Sequence, residues 1–474
     1  PKMFLPNYKE FYEQRWFTSG NEISNQINKV RFLNKEIPFG KLVFEVKDLD
    51  FKFALEICED LWMPIPPSSY LAINGAEILF NLSASNELIA KSDYREQLVL
   101  QQSARAIAAY IYSSSGVFES TSDVVFGGDC LIAENGSLLN RSKRFQRENN
   151  IIYADIDLLN LKNDRLVNKS FADLYDDSIS QFKVQTVSFD FKEINKLNNK
   201  KIVLDRTINP CPFIPINPET INKRCAEIFN IQVAGLAKRL EYTGIKNVII
   251  GVSGGLDSTL ALLVCHKTLE LLNLPKENII AITMPGFGTT NKTYDNAVSL
   301  MKALGCTIKE IDIKPSCLQQ FKDIGQDENI HDIAYQNVQA RARTQNLMNY
   351  ANKHNGLVIG TGDLSEIALG WCTFNGDHMS MYNVNCSIPK TLVSFLVKWV
   401  ANNSANEAKT ALEGILSTPI SPELLPVNPK EEISQITEND IGPYELNDFF
   451  LFHTLRHGSH PDKILFLANI AFNR

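Results

Sequence analysis

The chain has 474 residues, with 47 Lys and Arg against 54 Asp and Glu, a net charge of −7, and 44% hydrophobic residues. That length predicts two to three domains, each with enough material for its own core. Charges of both signs are spread along the chain without a basic stripe, no uncharged apolar run approaches the roughly 18 residues that span a bilayer, and the start Pro1-Lys2-Met3-Phe4-Leu5 lacks a signal-peptide layout.

In chain order, short apolar runs at 42–46, 53–57, 77–82 and 151–156 predict strands, with a helix at 95–112 among them. Residues 160 to 220 are polar and rich in Asn and Lys. They close on Asn209-Pro210-Cys211-Pro212-Phe213-Ile214-Pro215, which reads as an extended connector. Beyond it, strands at 247–252, 278–283, 307–312 and 357–360 alternate with helices at 222–241, 258–273, 292–304 and 331–353. Regular alternation of this kind predicts a doubly wound parallel sheet in an α/β fold. No internal repeat interrupts it.

The strand at 247–252 runs into Ser253-Gly254-Gly255-Leu256-Asp257-Ser258, and an apolar helical pattern follows. Two glycines allow positive φ and close approach of backbone N–H groups to a ligand, and a helix start with unpaired N–H groups attracts anions. Ser253 and Ser258 offer hydroxyls to phosphate oxygens, and Asp257 offers a carboxylate to Mg2+. No lysine follows the glycines, so the loop is not a Walker A element and γ-phosphoryl transfer is not its natural chemistry. The loop resembles the pyrophosphate loop of N-type ATP pyrophosphatases. A tight turn with Ser253 as a helix N-cap is the competing reading.

A second constellation lies far upstream. Cys58 follows an apolar run in Ile57-Cys58-Glu59-Asp60-Leu61-Trp62, and Lys2 opens Lys2-Met3-Phe4-Leu5-Pro6-Asn7-Tyr8. A nucleophilic cysteine acts as thiolate, which a nearby ammonium favours, yet a lone cysteine at a strand end is more often a small buried hydrophobe. The nine cysteines are scattered without a C-x-x-C pair and read as reduced thiols of a cytoplasmic protein, not as a disulfide or zinc framework.

Together, Lys2 to Tyr8, Cys58 to Trp62 and Asn81-Leu82-Ser83-Ala84-Ser85 resemble the nitrilase-type glutaminase domain of the glutamine-dependent NAD synthetases. Gly286-Phe287-Gly288-Thr289, Asn337 to Arg343, Gly360-Thr361-Gly362-Asp363-Leu364-Ser365-Glu366 and Gly442-Pro443-Tyr444-Glu445-Leu446 resemble the synthetase domain of the same family. The resemblance implies a nitrilase-like αββα glutaminase domain at 1–160, a connector at 161–220, and an ATP pyrophosphatase-type synthetase domain at 221–474. It implies that Cys58 attacks the glutamine amide, that Lys2 stabilises the oxyanion, and that Tyr8, Glu59 and Ser85 contact glutamine. In the family's Glu-Lys-Cys triad the general-base glutamate lies well upstream of the lysine, so this base and a basic C-terminal tail are expected outside these 474 residues, and the glutaminase domain is expected to lack its N-terminal part. Glu59 and Asp60 are poor substitutes, because adjacent residues point in different directions.

For the synthetase the resemblance implies ATP contacts from Ser253, Gly254, Gly255, Leu256, Asp257, Ser258, Thr361 and Lys390. It implies contacts to deamido-NAD from Asn337, Arg341, Glu366, Trp371 and Asp377, with Mg2+ held by Asp257 and Glu366. Asn337 and Arg341 lie four apart on a predicted helix, where both can reach one ligand, and His378 is expected to cap or pack. The implied activity is ATP-dependent amidation of deamido-NAD to NAD through an acyl-adenylate, releasing AMP and PPi, with ammonia from glutamine, in a homo-oligomer. The alternatives are an ammonia-dependent NAD synthetase with an inactive nitrilase domain, another amidotransferase such as GMP synthetase, and a nucleotide sensor. The second lacks its Gly-x-Cys-x-Gly element here, and the two metal carboxylates argue against the third.

Overall fold

A computed structural model describes residues 1–23, 27–174, 182–191, 203–404, 406–426 and 436–472. The chain forms two compact units, Pro1–Ile208 with His457–His460, and Asn209–Arg456 with Pro461–Arg474.

The first unit carries a hairpin, β1 (Lys29–Phe32) and β2 (Lys35–Pro38), and a seven-stranded sheet of β3 (Leu42–Val46), β4 (Phe51–Ile57), β5 (Ile78–Ser83), β6 (Ala109–Ser114), β7 (Leu131–Glu134), β8 (Ser137–Arg141) and β9 (Gln185–Phe189). Its order is β8-β7-β6-β5-β4-β3-β9, with a parallel centre of β4, β5 and β6. Strand alternation sends Val43, Ala54, Leu79 and Tyr110 to the face covered by α1 (Pro67–Ile73) and α2 (Lys91–Ala106), where they form one core. The opposite face presents Phe44, Phe53 and Phe80, with ring centroids 5.1 and 5.9 Å apart, and leaves Leu55 and Leu82 exposed. Helix α3 (Leu158–Val167) covers the Ile78 and Ile111 end of that face, followed by the short α4 (Lys169–Ala172).

Two predicted elements differ. The helix expected at 95–112 stops at Ala106, because Ile107 takes a left-handed conformation (φ 45°) and the alternating Ala109–Ser114 becomes β6. Residues 151–156 form no strand. Their backbone is held by side chains instead: Asn140 Nδ2 donates to Tyr153 O at 2.9 Å and Arg206 Nη2 to Asp155 O at 2.7 Å. Within 161–220, expected as a connector, the chain forms most of α3, all of α4 and β9, an edge strand paired with β3; residues 175–181 and 192–202 lie outside the described residues.

The second unit begins with α5 (Ile221–Thr243). A five-stranded sheet of β10 (Asn247–Gly251), β11 (Ile279–Thr283), β12 (Thr307–Glu310), β13 (Gly356–Gly360) and β14 (Tyr382–Asn383) has order β12-β11-β10-β13-β14, every pair parallel. Such a sheet is buried on both faces, so its strands read as unbroken apolar runs. Val248 and Ile250 face α5, α6 (Leu256–Leu271), α7 (Asn291–Ala303), and the later α11 (Lys390–Asn402) and α12 (Asn406–Leu416). Ile249 faces α8 (Lys314–Ile324) and α9 (Ile333–His354). The short α10 (Leu364–Leu369) follows β13, and α13 (Thr437–Ile441), α14 (Tyr444–His457) and α15 (Pro461–Phe472) complete the chain. Among the described residues no helix is long and apolar enough to cross a membrane.

Candidate functional sites

The order reversal between β10, β11 and β13 opens a crevice at the carboxyl ends of the strands, where doubly wound sheets bind ligands. A cavity of about 860 Å3 lies there, lined by the 251–258 loop, Thr361, Glu366, Trp371 and Asp377 among others. Helix α6 starts at Leu256, with Gly255 as its N-cap, so Ser253 is not the cap; its hydroxyl accepts from Gly255 N at 3.2 Å and lies 3.3 Å from Ser258 Oγ. Gly254 has φ 88°, and a Cβ on it would sit 2.2 Å from Thr293 O, so only glycine fits this turn. The loop is tied to β13 by the buried Asn385, whose Nδ2 donates to Asp257 O at 2.9 Å and Thr361 O at 3.0 Å.

Beside the loop, three carboxylates, Asp257, Asp363 and Glu366, bring ligand oxygens within 4.8 Å of one another. Lys390 Nζ, nearly fully buried at the start of α11, meets Asp257 at 2.7 Å and Asp363 and Glu366 at 2.8 Å each. Burial and repulsion from Asp257 push the Asp363 and Glu366 carboxyls up, against the pull of Lys390. Burial alone would push Lys390 down, but the three carboxylates hold it well above the ordinary lysine value. When all three carboxyls are ionised, one ammonium leaves two negative charges uncompensated, and Asp257 Oδ1 has no hydrogen-bond partner. An all-oxygen, net-negative donor set of this kind fits a hard divalent cation. Asp363 was missed in the sequence, although its Asp-x-x-Glu spacing with Glu366 is that of a capping box, which it forms at the start of α10.

Asn337 and Arg341, on one face of α9, both hold the loop after α10: Thr373 Oγ1 donates to Asn337 Oδ1 at 2.8 Å, and Arg341 Nε to Phe374 O at 3.1 Å. Arg343 lines the cavity, whereas Arg341 is turned to solvent. Asp377 Oδ1 accepts from Thr373 N at 2.7 Å, and His378 Nδ1 lies 2.8 Å from Thr373 O, so the histidine packs within that loop. Glu423, also missed, lines the cavity and accepts from Thr293 Oγ1 at 3.1 Å; burial pushes its carboxyl up to about 7.

In the first unit Cys58 sits at the end of β4 with φ 51°, a left-handed turn that a non-glycine residue adopts only when its surroundings impose it. Asp60 staples the segment carrying Lys2 to this turn: its Oδ1 accepts from Met3 N (3.0 Å) and Phe4 N (2.9 Å), and its Oδ2 from Ile57 N (3.0 Å). With both oxygens engaged, Asp60 is a structural clamp. Tyr8 Oη donates to the buried Glu59 carboxylate at 2.9 Å. Ser85 is buried beside Tyr112. Lys2 Nζ pairs with Glu13 Oε2 at 2.5 Å, a carboxylate the sequence reading passed over.

A cysteine turn beside a clamped lysine, in one unit, and a lysine-free glycine loop beside a carboxylate cluster, in the other, define an enzyme that joins thiol-dependent amide chemistry to nucleotide cleavage. Residues 6–165 match the carbon-nitrogen hydrolase family and residues 228–470 match NAD synthase. The glutamine-dependent NAD(+) synthetases of Mycobacterium tuberculosis and Mycobacterium bovis are 41% identical over 485 residues, covering 100% of this chain and 70% of theirs. That of Thermotoga maritima is 29% identical, covering 100% and 73%. A solved structure of the Acinetobacter baumannii glutamine-dependent NAD+ synthetase aligns with a TM-score of 0.40 at 20% identity, covering 100% of this chain and 71% of that one. The chain belongs to the glutamine-dependent NAD(+) synthetase family.

Proposed function

We propose that the chain converts deamido-NAD to NAD by ATP-dependent amidation with ammonia taken from glutamine. The observation that carries this reading is the pairing of a lysine-free glycine loop with the Asp257, Asp363 and Glu366 cluster at the same strand ends. A nicotinate carboxylate oxygen attacks the α-phosphorus of ATP and displaces PPi, which the N–H groups and hydroxyls of the 253–258 loop receive. Ammonia then attacks the acyl carbon and AMP leaves. Adenylation is needed because a free carboxylate repels nucleophiles. Lys390 keeps the three carboxylates together, and Asn337 and Arg341 shape the loop bearing Trp371 and Asp377 against the dinucleotide. Asp257, Asp363 and Glu366 would hold Mg2+, which when bound neutralises phosphate charge.

In the first unit Cys58 Sγ attacks the glutamine amide carbon, ammonia leaves, and water hydrolyses the thioester to glutamate. Lys2 faces the developing oxyanion, and Tyr8, Glu59 and Ser85 contact the substrate. Nine free thiols support a cytoplasmic setting, and exposed Trp16, Phe17, Ile231 and Tyr242 would contribute to a homo-oligomeric contact.

Product analysis tests the reading. AMP and PPi should appear in step with NAD, and ADP with inorganic phosphate would overturn it. Cys58→Ala should abolish glutamine-driven synthesis while sparing ammonium-driven synthesis. If wild-type protein uses ammonium and never glutamine, the first unit is inactive as a glutaminase.

A further inference from the structure

Behind Cys58 lies a closed, buried polar network that the mechanism above does not use. Asn81 stands on β5 in register with Glu56 of β4, on the helix-covered side of the sheet, with no exposed surface. Its Oδ1 accepts from Cys58 N at 3.1 Å, and its Nδ2 donates to Cys58 O at 3.4 Å and to Tyr110 Oη at 3.2 Å. Tyr110 in turn donates to Glu56 Oε1, and Glu56 Oε2 accepts from Ser68 N at 2.8 Å. One amide therefore grips both ends of the cysteine residue, while β6 and α1 fix the amide.

We propose that Asn81 is the positioning residue of the thiol site, holding Cys58 in its left-handed turn so that the sulfur is aimed before substrate arrives. The proposal rests on the reading of Cys58 as nucleophile. A left-handed conformation is strained for a residue with a Cβ, so at Cys58, with φ 51°, it persists where specific bonds select it. Asn81 holds both the N–H and the carbonyl of Cys58, so the peptides on either side of the nucleophile are both specified, and Asp60 fixes the N–H of Ile57 just before them. Without Asn81 the Cys58 N–H would lose its buried partner, and the turn would relax to satisfy it. The geometry has a further consequence: with its N–H committed to Asn81, Cys58 contributes no backbone donor to the oxyanion, which leaves that task to Lys2 and later N–H groups.

The test uses the full-length protein. Asn81→Ala should lower kcat for glutamine hydrolysis about 10- to 100-fold, the scale of loss from slight misplacement of a reacting group. KM for glutamine should stay within about twofold, and the rate of Cys58 alkylation by iodoacetamide, read by mass spectrometry of its peptide, should fall with kcat. Ammonium-driven synthesis should be retained. Asn81→Asp keeps the shape and the acceptor for Cys58 N–H, and should restore part of both rates. Cys58→Ala separates the two ideas: if it still hydrolyses glutamine, the nucleophile reading has failed. If Cys58→Ala is dead while Asn81→Ala keeps wild-type kcat and alkylation rate, or loses activity only through KM, the positioning role is overturned. Should Asn81→Ala not fold, Asn81→Leu, of similar volume and without a polar atom, decides, and wild-type rates in that variant overturn the proposal.

Discussion

Replacing Lys390 by Met probes how the carboxylate cluster is held together. At an effective dielectric constant near 20, each Nζ···O contact of 2.7–2.8 Å contributes about 6 kcal/mol of attraction, about 18 in all. Three carboxylates within 4.8 Å repel one another by at least about 3.5 kcal/mol per pair, about 10 in all. Attraction exceeds repulsion while the lysine is present, and only repulsion remains once it is gone. Side-chain relaxation and proton uptake limit the loss, so the expected destabilisation is that of a broken buried ion pair, about 3–5 kcal/mol. For a unit of this size that corresponds to roughly 6–20 °C in the melting of the second unit. Met keeps the aliphatic volume on α11, which makes the change one of charge. Melting followed in EDTA should show the full drop. Mg2+ should restore several degrees in the variant, because a divalent cation takes over the neutralisation. Ammonium-driven synthesis should be lost. An unchanged melting temperature in EDTA, or a drop on which Mg2+ has no effect, would refute the reasoning.

Gly254→Ala forces a methyl against Thr293 O at a left-handed position, and should abolish ammonium-driven synthesis while sparing glutamine hydrolysis; Gly255→Ala, at φ −86° with its nearest neighbour 3.4 Å away, should leave the melting temperature near wild type. Retained synthesis in Gly254→Ala would show that the loop is not held against α7. Burial pushes the Glu56 carboxyl up to about 7, whereas in the unfolded chain it titrates near 4.5. Its contribution to stability is therefore full below pH 4.5 and is lost as pH rises to about 7, by about 3 kcal/mol. Denaturant titrations of Glu56→Gln should show a flatter pH dependence across that window, and parallel curves for variant and wild type would rule the shift out.

The local features were legible in the sequence because their causes are local. The 253–258 loop is announced by two adjacent glycines between an apolar strand and an apolar helix, whereas Cys58, whose place after a short apolar run suits a buried hydrophobe equally well, was singled out by the motif around it. The alternation of strands and helices after residue 221 likewise follows from burial of a parallel sheet on both faces. What could not be read were features that depend on which strands become neighbours. Strand β6 was hidden because an apolar stretch continues the helix pattern without Gly or Pro, and only the left-handed Ile107 ends it. Residues 151–156 form no strand although the edge strand β8 lies beside them, because side chains took their backbone carbonyls, Asn140 of β8 that of Tyr153 and Arg206 that of Asp155. Lys390 and Asp257 lie 133 residues apart, and they meet because β10 and β13 are adjacent and deliver α6, α10 and the start of α11 to one edge. Asn81 stood in the 81–85 motif, but nothing along the chain tied it to Cys58. It reaches Cys58 because β4 and β5 pair with Glu56 opposite Asn81, a register that follows from the core-facing alternation of the whole sheet. Propensity and motif are properties of neighbours along the chain, whereas a buried charge or amide acquires its partners only when packing brings distant segments together and excludes the water that would otherwise serve them.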